Sequence, residues 1–175
     1  MRAPLRAGVF LVVAFSAGCG YGLVGRGGGI DPAIKRIGVP LFKDNTGKTS
    51  LDIKLTQKII EELLKRGKVD VVQGVEGADA IVEGEILSLQ QQPVGFSGGE
   101  KATTASRYSI TLTVKVKYYK PGVAEPIWQN DAFSFRDEYD LGADPTSFFD
   151  REDQGVERLA QAFARSLVAA MLEAF

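Results

Sequence analysis

Residues 105–120 read ASRYSITLTVKVKYYK, and their alternation decides the fold. Tyr108, Ile110, Leu112, Val114, Val116 and Tyr118 point one way along an extended chain, while Ser109, Thr111, Thr113, Lys115, Lys117 and Tyr119 point the other. A strand with one apolar and one polar face belongs to an antiparallel sheet that packs on one side and meets water on the other.

Working outward from it, PGVAEP is a turn, and Ile127–Tyr139 (IWQNDAFSFRDEY) continues as a strand with Phe133 and Phe135 on one face. Trp128 at its start reads as a core anchor. On the other side, Pro93–Thr104 (PVGFSGGEKATT) reads as a loop. Asp79–Gln92 (DAIVEGEILSLQQQ) reads as a strand that sets Ile81, Glu83, Glu85, Leu87 and Leu89 against Val82, Ile86 and Ser88, with Gly84 able to bulge. Val69–Gln73 is a short strand. Ile34–Phe42 (IKRIGVPLF) is the first, and Pro40 suggests an edge position or a bulge there.

Two segments carry helical spacing. From Leu51 to Arg66, Leu51, Leu55, Ile59 and Leu63 share one face, with Ile60 and Leu64 beside them and charged residues opposite. Thr49 or Ser50 can cap its start, and Gly67 closes it. From Phe148 to Phe175, Val156, Leu159, Ala160, Phe163, Leu167, Met171 and Phe175 form a second apolar stripe. The expected fold is therefore α+β, with two helices packed on one face of a mixed four- to five-stranded β-sheet.

The first 32 residues have another logic. Arg2 and Arg6, the apolar run Val9–Phe15 and the small residues Ser16, Ala17 and Gly18 make a secretory signal. The run is too short to span a bilayer. Cys19, the single cysteine, stands at the cleavage point, and SAGC resembles a bacterial lipobox, with Ser16 where Leu is usual. Lipidation of Cys19 is expected, and several acyl chains on one residue anchor stably where a single chain does not. Gly20 is not the Asp that retains such proteins in the inner membrane of enterobacteria. Residues 19–32 are then a lipidated cysteine and a glycine-rich tether, and residues 33–175 a single domain.

Composition excludes much. Removal of residues 1–18 takes two of the 21 basic residues, leaving 19 against 22 acidic ones, so nucleic acid is not expected as a partner. With no histidine in the chain and its one cysteine lipidated, the His-based triads and zinc sites are absent. No cofactor or metal is expected, and no enzyme. Glu83 and Glu85 share a strand face and invite a carboxylate hydrolase, but paired surface carboxylates explain them as well.

The stretches CGYGL, IKRIGVPLFKDNT, LTQKIIEELLKRGKVDVV, ADAIVEGEI, YSITLTVKV, IWQNDAFSFRDEYD and FFDRE, in this order from Cys19 to Phe175, resemble the LptE family of lipopolysaccharide-assembly lipoproteins. The resemblance implies a non-catalytic protein of the outer membrane, lipid-anchored on the periplasmic side and seated in a barrel lumen. Its partners would be an LptD-like β-barrel, whose assembly it supports, and lipopolysaccharide, whose insertion at the cell surface it assists. It also implies that Lys101 contacts lipopolysaccharide, with Arg107 second and Arg151 after the last strand a third candidate. A competing expectation is a periplasm-facing lipoprotein that activates or docks onto a cell-wall synthase. The tether of about a dozen residues spans roughly 20 Å, which favours work close to the membrane.

Overall fold

The computed structural model describes residues 31–66, 69–98, 104–141 and 148–172. The elements run β1 (Arg36–Gly38), β2 (Lys43–Asp44), α1 (Leu51–Lys65), β3 (Asp70–Val72), β4 (Ala80–Ser97), β5 (Thr104–Tyr119), β6 (Trp128–Asp140) and α2 (Phe148–Leu172). The strand order is β3-β1-β4-β5-β6, with β2 following β1 along the same edge of β4. β1 and β2 pair parallel with β4, and β1 parallel with β3; β4, β5 and β6 form an antiparallel meander. The fold is α+β with a mixed sheet, as expected, but six strand segments replace four to five.

Pro40 explains the count. It lacks an N–H for a ladder bond, and the expected first strand breaks between Gly38 and Lys43. β1 itself is internal, flanked by β3 and β4. In the break, Phe42 turns into the core, and its freed N–H donates to Thr56 Oγ1 of α1 at 3.1 Å. Its ring fills the space above Gly84, where a Cβ would stand 2.0 Å from a ring carbon. Gly84 therefore makes room rather than a bulge, and it keeps regular register with Val116.

The bulge falls at Leu87, between Ile86 and Ser88. It shifts the phase of β4, so Leu89 stands opposite the buried Leu112 and joins Val82 and Ile86 on the core face. The expected grouping of Leu89 with Glu83 and Glu85 is corrected by that one extra residue. The loop expected at 93–104 is corrected too, since β4 runs to Ser97 and β5 starts at Thr104.

Both helices lie on the face built from Val82, Ile86, Ile110, Leu112, Val114 and Val116. α1 buries Leu51, Leu55, Ile59 and Leu63, while Leu64 is exposed. Ser50 occupies the N-cap position in a left-handed conformation and makes no side-chain capping bond. Its C-cap is Arg66; Gly67 lies outside the described residues. α2 buries Val156, Leu159, Ala160, Phe163, Leu167 and Met171, and Phe163 meets Phe133 edge-on at 5.3 Å. Trp128 packs edge-on against Phe133 at 6.0 Å, part of the same core. Lys58–Glu157 at 2.7 Å and Lys54–Asp153 at 3.6 Å join the helices across their outer seam.

Candidate functional site

Both helices lie on one side, and among the described residues no helix covers the other side of the sheet. Alternation along β5 sends Arg107, Ser109, Thr111, Thr113, Lys115, Lys117 and Tyr119 to it. Opposite them on β4 stand Glu83, Glu85, Ser88, Gln90 and Gln92; on β6 stand Gln129, Ser134, Arg136, Glu138 and Asp140. Cross-strand pairs knit this face. Thr113 and Ser134 share a hydroxyl bond at 2.8 Å, and Lys115 meets Asp131 at 3.1 Å. Within β6, Arg136 also meets Glu138 two residues on, at 3.1 Å.

The two carboxylates singled out for hydrolysis do share this face, and both are engaged. Glu83 accepts the Tyr119 hydroxyl at 2.7 Å, which pushes that phenol up to about 12, and Glu85 accepts Asn45 Nδ2 at 2.7 Å. Lys43, Lys115 and Lys117 surround them over a shallow groove of about 290 Å³. Lys117 rests over the Tyr119 ring, 4.9 Å from its centre. An open face of this kind offers hydrogen bonds and local charge over a wide area; it suits contact with another macromolecule.

At the far end of the sheet, β4 and β5 form a hairpin arm. Arg107 lies on its open face, exposed, with Nε 2.7 Å from Asp140 Oδ1 on β6. That hydrogen bond, with the charge of Asp140, raises the guanidinium pKa further. Lys101 and Cys19 lie outside the described residues. Arg151 is exposed in the first turns of α2, on the helix-bearing side. The sheet thus runs between Arg107 and Arg151, and they do not form one cluster.

A cluster that periodicity alone does not reveal sits beneath the arm. Glu152 of α2 is buried, and its carboxylate accepts Lys48 Nζ from the loop before α1 and Gln91 Nε2 from β4 at 3.0 Å. One side chain therefore ties together both helix starts and the arm. The sequence signal is a Glu four residues before Val156, on the line of the apolar stripe of α2. Beside it, Tyr139 stacks on Tyr108 at 5.9 Å, and burial pushes its phenol up to about 12.

A helix-backed mixed sheet with one polar face defines the fold class of the chain. The family model described as LptE, lipopolysaccharide-assembly, matches residues 34–171. The chain belongs to the LptE family of lipopolysaccharide-assembly lipoproteins. No curated protein matches it in sequence. Among solved structures it resembles the uncharacterized lipoprotein B of Nitrosomonas europaea (12% identity, 87% of this chain and 90% of that one, TM-score 0.53). It also resembles PelC of Paraburkholderia phytofirmans, a dodecamer (10% identity, 83% and 92%, TM-score 0.52). At these identities the likeness is one of fold.

Proposed function

We propose that this chain is an outer-membrane lipoprotein, anchored through lipid on Cys19 after removal of residues 1–18, that seats in the lumen of an LptD-like β-barrel. There it supports assembly of the barrel and assists lipopolysaccharide insertion at the cell surface. It is not an enzyme in this reading. The observation that carries it is the open sheet face of a member of the LptE family. Barrel interiors are polar, and this face presents hydroxyls, amides and charges, several already matched by neighbours on the same or adjoining strands. Such a surface meets a polar wall without stranding a charge.

In the same reading, Lys101, as the family resemblance implies, and Arg107 of the hairpin arm contact lipopolysaccharide phosphate, and Arg107 exchanges Asp140 for it. A guanidinium–phosphate bond is charge-assisted and bidentate, which favours the exchange. Arg151 would act from the helix side, as a separate contact.

The test is affinity purification of the tagged, lipidated chain from outer membranes. A heat-modifiable barrel is expected to come with it; a cell-wall synthase in its place, or no barrel, overturns the reading. Lipopolysaccharide retention by residues 20–175 is expected to fall when Lys101 and Arg107 are both changed to Ala.

A further inference from the structure

The sheet has two long free edges, and they are built differently. β6 carries Asp131, Arg136, Asp137, Glu138 and Asp140 and has an irregularity opposite Lys115. Charges and bulges of that kind keep an edge from pairing with another chain. The other edge belongs to β4 beyond its contact with β2; between its own irregularities at Leu87 and Val94 it keeps unbroken register from Ser88 to Pro93. From Ile86 to Gly98 the sequence is ILSLQQQPVGFSG, without a charge. Leu87 (39% exposed), Val94 (43%) and Phe96 (57%) stand out in water along it.

The hydrogen-bonding direction of this edge follows from the register. The Ile86 carbonyl accepts the Asn45 N–H at 3.1 Å, so at Ile86 the backbone groups point away from β5. Leu89, Gln91 and Pro93 stand opposite Leu112, Ile110 and Tyr108, which continue in steps of two from Val114, the partner of Ile86. They therefore share its orientation. Leu89 and Gln91 each present an N–H and a C=O to the free side, and Pro93 presents a C=O alone, the placement an edge proline takes. The chain itself leaves this track at Asn45, turning through Gly47 toward α1. Among the described residues, no strand pairs with β4 beyond Ile86.

We propose that the β4 edge from Leu87 to Val94 is a strand-addition site, filled by an uncharged extended segment of the barrel partner laid in line with β2. The inference rests on the barrel reading above. The row of backbone donors and acceptors selects an extended chain, and the absence of charge from Ile86 to Gly98, beside a Lys48–Glu152 pair already matched, selects a neutral one. Asp31 is held by Lys120 at 2.7 Å, next to the pair Tyr119–Ile81 at the opposite end of β4.

The test compares Gln91→Pro with Gln91→Ala in the lipidated full chain, reading the barrel recovered from outer membranes. Both variants lose the side-chain bond to Glu152; only proline loses the outward N–H, and the β4–β5 ladder keeps its bonds in either. Recovery with Gln91→Pro is expected to be at least tenfold below that with Gln91→Ala, with an unchanged unfolding midpoint between the two. Should the proline variant fold poorly, Leu87→Lys with Val94→Lys places charge on the same track at exposed sites and is expected to give the same loss. Equal recovery from the charged variant and wild type overturns strand addition while leaving the barrel reading in place. A wild-type chain that recovers no barrel overturns both. A photoreactive residue at Leu87 is expected to join the barrel; joining a second copy of the chain, or its own N-terminal segment, also overturns the proposal.

Discussion

Single residues set the tightest fits in this fold, and glycine sets two of them. Gly38 lies where the β3–β4 connection crosses β1 on the open side: a Cβ there would stand 2.4 Å from the Gly74 carbonyl oxygen. Gly84 lies under the Phe42 ring on the helix side. The Phe42 site is the more informative, because the obstacle is a side chain that can be cut back. Gly84→Ala is expected to destabilise the protein by about 2–3 kcal/mol, the usual cost of forcing volume into a packed core. Adding Phe42→Leu to Gly84→Ala should recover part of that loss in urea denaturation. A Gly84→Ala protein as stable as wild type would show that the ring does not seat there. Sequence alone marked Gly84 as exceptional but offered a bulge as the reason. Its real cause is a partner forty-two positions earlier in the chain, which no local pattern can announce.

Elements follow their periodicity until an extra residue intervenes. The stripe Leu51, Leu55, Ile59 and Leu63 is buried as spaced, and so are Ile110, Leu112, Val114, Val116 and Tyr118 of β5. β4 obeys its pattern only as far as Ile86; the bulge at Leu87 then exchanges the faces. Alternation cannot show this, since Leu87 and Leu89 are both apolar and suit either phase. The hairpin arm was legible only in part for a related reason. PVGFSGG is turn-like in composition, yet cross-strand pairing with Thr104–Tyr108 draws most of it into the ladder. Of the candidate contacts, Arg107 could be placed on the sheet because it pairs in register with Asp140 of β6.

The Lys48–Glu152–Gln91 cluster belongs to this scale, because it joins three elements. Glu152→Ala is expected to cost about 1.5–3 kcal/mol, the range for hydrogen bonds to a charged group. A double-mutant cycle with Lys48→Ala should show coupling of about 1 kcal/mol, tempered by the partial exposure of Lys48. Strict additivity in that cycle would mean that the ion pair does not hold the helix starts to each other.

For the molecule as a whole, stability in acid should depend on the end where the chain enters the sheet. Asp79 accepts the N–H groups of Arg36 and Lys35, and these bonds hold its carboxyl below the ordinary value. Asp31 is lowered as well, first by the hydrogen bond from Lys120 and next by the N–H of Ala33. A carboxyl depressed in the folded state adds stability that is complete above its unfolded pKa, about 3.9 for Asp. That contribution disappears as pH falls through the folded value. The denaturation midpoint should therefore drop below about pH 4. Asp79→Asn should start lower at neutral pH and converge on wild type in acid. Parallel curves for the two proteins across that range would remove Asp79 from the account.

The length of β4 bears on where the domain can work. Its 18 residues give a contour of about 55–60 Å at roughly 3.3 Å each, near twice the ~30 Å hydrocarbon slab of a bilayer. The bond between Asp31 and Lys120 fixes chain entry at one end of that length, and the hairpin arm occupies the other. In the proposed lipid-anchored state, a sheet stood along the membrane normal would act as a yardstick: rooted at one leaflet, it would carry its far tip past the opposite one.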